Sequence, residues 1–124
     1  MSPAEDALLL LGIVRRHLRA LEQTLQSNYP DEDWGFTAQQ VMDKILKAWI
    51  VLADRRPPHT HELAELMPLA NVAIPEVILQ LQVFAVEARY EEGPFPLPGP
   101  RAELLGLLHA ELQRLEGAIA AAKS

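Results

Sequence analysis

The sequence has no cysteine among its 124 residues. Disulfide frameworks, zinc–thiolate sites and cysteine nucleophiles are therefore excluded, and the composition fits a reducing cytoplasm. Long apolar runs are also missing. The longest, "ALLLLGIV", follows acidic residues and precedes Arg15, Arg16 and Arg19. It predicts a soluble helix, neither a signal peptide nor a membrane span. There is no P-loop, no nucleophile elbow and no His-Glu-x-x-His. His59 and His61 are close, but no second carboxylate–histidine pair matches them as in di-iron bundles, so no metal site and no cofactor is expected. Positive charge is in short supply as well. The net charge of −6 means that bulk electrostatics do not recruit nucleic acid. The first 56 residues nevertheless hold seven of the eleven Lys and Arg against eight acids, which leaves room for a local basic patch. The acidic remainder reads as a solubilising surface.

What is present is helical periodicity, with no convincing strand. Ser2-Pro3-Ala4-Glu5 forms a capping box with proline at the first helical position. The helix it opens carries Leu11, Val14, Leu18, Leu21 and Leu25 at three- and four-residue steps. "SNYPDEDWG" reads as a polar loop. A second helix is predicted from near Thr37, with Ala38, Val41, Met42, Ile45, Trp49 and Leu52 as its apolar stripe. It ends by Arg56, because Pro57 and Pro58 disfavour helix before them and supply no N–H. "THELAELM" is predicted as a short helix capped by Thr60 and closed near Pro68. A long third helix is expected from about Pro75, with Val77, Leu81, Phe84 and Ala88 on one face. "GPFPLPGP" joins it to a last helix carrying Leu104, Leu108, Leu112, Leu115 and Ile119. The expected fold is all-α: one domain over residues 1–124, an up-and-down four-helix bundle with an extra short helix between the second and third long ones.

Several polar residues are candidates for a site. Lys44 and Lys47 share a face, and Asp43 precedes Lys47 by four residues, the favourable order for an ion pair. Gln39 and Gln40 face either a ligand or water. Arg15, Arg16 and Arg19 make a second basic stripe, most simply solvated, and His17 and His109 read as structural. Arg55 and Arg56 follow the end of the second helix, where cations suit the dipole. Arg56, His61 and the helix start at Thr60 together make a corner able to hold an anion. Arg89 and Tyr90 fall at the end of the third helix.

In order, the chain shows Gln40, Asp43-Lys44, Lys47-Ala48, Pro57-Pro58, Thr60-His61-Glu62-Leu63 and Ala88-Arg89-Tyr90. This ordered set resembles the HEPN domain over nearly the whole chain. The resemblance implies a helical bundle, usually a homodimer, in a small cytoplasmic protein often encoded beside a minimal nucleotidyltransferase in a toxin–antitoxin-type pair. It also implies nucleotide binding, and in some branches metal-independent ribonuclease activity. Asp43 stands for the family's usual Glu, Glu62 for its usual Asp, and Val41 and Met42 for small alanines, which alters helix packing. The ribonuclease branches carry an arginine, four to six residues, then a histidine. Arg56 and His61 fit that count, but Pro57 and Pro58 place the pair across a turn.

The leading expectation is thus a non-catalytic nucleotide- or phosphate-binding protein partnering a nucleotidyltransferase, using Gln40, Lys44, Lys47, Arg56, His61 and Arg89. The first alternative is an endoribonuclease toxin in which Arg56 and His61 act on RNA. The second is a structural bundle that only oligomerises.

Overall fold

The computed structural model describes residues 2–123, all of whose regular elements are helical. They are α1 (Pro3–Gln23), α2 (Asp31–Leu52), α3 (Leu63–Ala70), α4 (Glu76–Leu79), a 3-10 segment (Gln80–Phe84), α5 (Glu87–Tyr90) and α6 (Arg101–Lys123). Helix α1 starts with the serine half of the expected capping box, while Glu5 meets the Ser2 hydroxyl rather than its backbone N–H. The Glu5 amide donates to Ser2 Oγ at 3.2 Å, and Ser2 Oγ donates to the Glu5 carboxylate at 3.0 Å. Its stripe of Leu11, Val14, Leu18 and Leu21 is buried. Leu25 packs beyond the helix end as a partly buried residue.

Helix α2 begins six residues before the expected Thr37, inside what reads as a polar loop. Asp31, Glu32 and Asp33 fill its first turn, where carboxylates oppose the positive end of the dipole. Trp34 is fully buried and donates from its indole nitrogen to the Leu21 carbonyl at 3.3 Å. Arg101 completes the corner, donating to the Thr24 and Tyr29 carbonyls and to Asp31. These contacts set α2 antiparallel to α1 and parallel to α6. The ion pairs Arg15–Glu116 and His109–Glu22 join α1 to α6 in the antiparallel sense.

The third arm is not one long helix. A 3-10 stretch occupies its middle, and Val86, at φ −125° and ψ −74°, interrupts the helical course before α5. Leu81 and Phe84 are buried as expected, while Val77 and Ala88 are only half-buried. Gly35 of α2 allows the close approach of this arm. A Cβ at that position would lie 2.6 Å from the Phe84 ring. Helix α3 is capped at Glu62 rather than at Thr60, begins at Leu63 and continues past Pro68 to Ala70. The N–H that Pro68 lacks would have met the Ala64 carbonyl, and both residues lie on an exposed turn of the helix. Leu63, Leu66 and Ala70 face the core at helical spacing. One continuous apolar cluster joins α1, α2, α3, the third arm and α6. Each fully buried Leu, Ile or Phe contributes about 1.5–3 kcal/mol to it.

Candidate ligand-binding site

Helix α2 is the central element and buries two polar side chains, Gln39 and Asp43, one turn apart. Asp43 is wholly inaccessible, yet three cations or potential cations gather on it. Lys44 Nζ lies 3.2 Å from Oδ2, and His61 Nδ1 is also 3.2 Å from Oδ2. Lys47 Nζ lies 3.1 Å from Oδ1 and 3.4 Å from Oδ2. The contact to Oδ1 is an ion pair at a poor angle, so Oδ1 has no hydrogen bond. The side chains of Lys47 and Lys44 are 12% and 21% exposed, and that of His61 is 59% exposed. A buried carboxylate thus anchors two ammonium groups and an imidazole whose outer parts reach solvent. An ionised carboxylate only accepts, so Nδ1 of His61 carries the proton and Nε2 is turned to other partners. With His61 neutral the cluster still has one surplus positive charge.

His61 is carried to this place by the turn that follows α2. That helix closes with Asp54 in the left-handed region at φ 61°, and Arg55 N–H returns to the Ile50 carbonyl at 3.2 Å. Pro57 and Pro58 then direct the chain back along α2. The amide of Gln39 donates to the His61 carbonyl at 2.7 Å, which fixes the backbone while Asp43 fixes the ring. Gln40 donates to Gln39 Oε1 at 2.8 Å. From the third arm, Gln82 Oε1 accepts the Leu63 N–H at 2.8 Å and the Gln39 amide at 3.3 Å, while its own Nε2 is buried without a partner.

The start of α3 is therefore capped from a distance. Thr60 Oγ1 takes the Glu62 N–H at 3.1 Å, and Glu62 is the N-cap residue. With Gln82 on the Leu63 N–H and a carboxylate-bearing residue at the cap, the corner from 55 to 63 is not the open anion seat suggested by its sequence. The cationic surface lies instead on the α2 side of His61.

Of the six residues expected at a site, Lys44, Lys47 and His61 come together on Asp43, and Gln40 joins them through Gln39. Arg56 is exposed and makes no hydrogen bond or ion pair with the described residues, so nothing holds it towards the cluster. Arg55 instead donates to the Leu69 carbonyl at the end of α3. Arg89 lies further along α2, its guanidinium 4.7 Å from the centroid of the Phe36 ring. His17 has its pKa lowered from 6.5, first by burial and then by the charges of Arg16 and Lys44. Its neutral form is therefore more favoured than that of an ordinary histidine. Among the described residues no group of three or more His, Asp or Glu side chains converges as a metal site requires, and no helix is long and apolar enough to cross a membrane.

Asp43 and Gln39 were candidates but not among the six residues expected at the site, and Gln82 was not named at all. A signal existed for Asp43, which sits between Val41, Met42, Ile45 and Leu46, all buried. Gln82 offered none, because its role depends on the third arm folding against α3.

The family model described as HEPN domain matches residues 8–123. No curated protein and no solved structure matches the chain.

Proposed function

Since the chain belongs to the HEPN domain family, we propose that it is a non-catalytic nucleotide- or phosphate-binding protein, a cytoplasmic homodimer of one domain that partners a minimal nucleotidyltransferase in a toxin–antitoxin-type pair. The observation that carries the ligand reading is the buried Asp43 carboxylate holding Lys44, Lys47 and His61 at the surface. A phosphate brings about two negative charges and several strong acceptor oxygens. Each ammonium has three N–H groups and gives Asp43 only some of them. The remainder, with His61 Nε2–H when that ring is protonated, are donors for the incoming oxygens. Because Asp43 already orients these groups, less side-chain entropy is lost on binding.

Calorimetry with ATP and GMP tests this reading. Heat is expected with wild type, and Lys47→Ala weakens binding about tenfold or more, as loss of a charge-assisted hydrogen bond does. No heat with either nucleotide leaves the partner-binding and oligomerising readings. One observation favours a ribonuclease instead. Asp43 fixes the His61 ring as an orienting carboxylate fixes a general base. RNA incubated without metal is expected to stay intact. Cleavage that disappears in His61→Ala would replace the binding reading with the catalytic one. Light scattering on the purified chain, alone and mixed with a minimal nucleotidyltransferase, tests the homodimer and the pairing.

A further inference from the structure

The side of α2 that carries the cluster continues past Gln40. Successive helical residues turn by about 100°. Glu32, Asp33, Phe36, Gln40, Asp43 and Lys47 therefore share one side of α2, with Lys44 at its edge. Beside the first half of this strip is an open cavity of about 400 Å³, lined by Glu32, Asp33, Phe36, Phe84, Ala88 and Arg89. That volume is within the range of small-molecule pockets. One wall is the stack of Arg89 on Phe36. Aromatic rings and guanidinium planes are the surfaces on which nucleobases stack.

The two ends of the strip differ in sign. Glu32 and Asp33 repel a phosphate from the cavity but accept N–H groups from the amino edge of a base. Glu32 already accepts the Phe95 N–H at 3.4 Å. At the other end stand Lys44, Lys47 and His61. Between them Gln40 donates to Gln39 and keeps its own carbonyl for a further partner such as a ribose hydroxyl. Phe36 and Asp43 are separated by about 10 Å along the helix axis. A second and a third phosphate carry a ligand seated on Phe36 further along that span than a single phosphate does.

We infer that the strip is one continuous site for a nucleoside polyphosphate. The base lies against Phe36 and Arg89, and the polyphosphate tail lies on Lys44, Lys47 and His61. The inference rests on the phosphate reading of the cluster and adds to it a base subsite and a required tail length.

Calorimetry with ATP, AMP and inorganic tripolyphosphate separates the two. Wild type is expected to bind ATP roughly tenfold tighter than tripolyphosphate, in the range that base stacking supplies, and to bind AMP more weakly than ATP. Phe36→Leu removes the advantage of ATP and leaves tripolyphosphate affinity unchanged, and Phe36→Tyr keeps the advantage. Arg89→Ala, at an exposed position, makes the same comparison if Phe36→Leu does not fold. Equal affinity of wild type for ATP and tripolyphosphate overturns the base subsite and leaves the phosphate cluster standing. An ATP advantage that survives both Phe36→Leu and Arg89→Ala also overturns the subsite. Heat from neither ATP nor tripolyphosphate overturns the subsite and the phosphate reading together.

Discussion

Replacing Asp43 with asparagine keeps the shape of a fully buried side chain and deletes its charge. Three groups lose their anchor: Lys44, Lys47 and His61, each within 3.2 Å of a carboxylate oxygen. Removing one partner of a fully buried ion pair costs about 3–5 kcal/mol. Here the stranded cations are partly exposed, and both lysines have stems long enough to carry their charge into water. The loss is accordingly smaller, about 1–3 kcal/mol. For a chain of this size the melting temperature should fall by roughly 3–15 °C. Thermal unfolding followed by circular dichroism at neutral pH reads this directly. A double-mutant cycle with Lys47→Met isolates the pair, and a coupling near 1 kcal/mol or more is expected for groups in one network. An Asp43→Asn variant that melts within about a degree of wild type would refute the anchoring role of the carboxylate.

Two other perturbations test the fold around the site. Gly35→Ala places a Cβ 2.6 Å from the Phe84 ring. Overpacking of this kind costs about 1–3 kcal/mol, only partly offset by the better helix propensity of alanine. Chemical denaturation should show a net loss, and adding Phe84→Leu should recover part of it; a neutral or stabilising Gly35→Ala contradicts the packing. His17 has a folded pKa below the ordinary 6.5, so on acidification the unfolded chain takes up its proton first. Stability attributable to neutral His17 is fully present above 6.5 and is lost as pH falls from there through the lowered value. The melting temperature of His17→Gln should therefore decline less from neutral to mildly acidic pH than that of wild type. Parallel profiles would show that His17 is not the group responsible.

Much of the bundle is legible in the sequence because helices bury every third or fourth residue. Leu11, Val14, Leu18 and Leu21 of α1, and Leu104, Leu108, Leu112, Leu115 and Ile119 of α6, are the residues that periodicity selects, and all are buried. The start of α2 is harder to read. Pro30, three acids and Gly35 resemble a loop, and the tertiary contacts of Trp34 with Leu21 and of Gly35 with Phe84, which help to hold that segment as a helix, are not visible in the local sequence. The third arm misleads for the opposite reason. A 3-10 stretch still brings Leu81 and Phe84 to the core, so the apolar pattern of a continuous helix survives where the helix itself does not. The site divides in the same way. The i,i+4 pairing of Asp43 with Lys47 is visible from spacing, but whether a polar helical residue is covered depends on its neighbours. The burial of Asp43 and Gln39 follows from the return of the 53–62 segment and the third arm. The Arg56–His61 count is legible but incomplete, since it does not say which side of the proline turn faces α2.

The ATP titration of wild type beside Lys47→Ala and Arg56→Ala, at low ionic strength, tests most directly whether the Asp43-anchored cluster is the phosphate-binding surface. The expected result is measurable binding that weakens about tenfold or more without Lys47 and hardly changes without Arg56. Undetectable binding to wild type, or a loss that follows Arg56 and spares Lys47, would contradict the assignment.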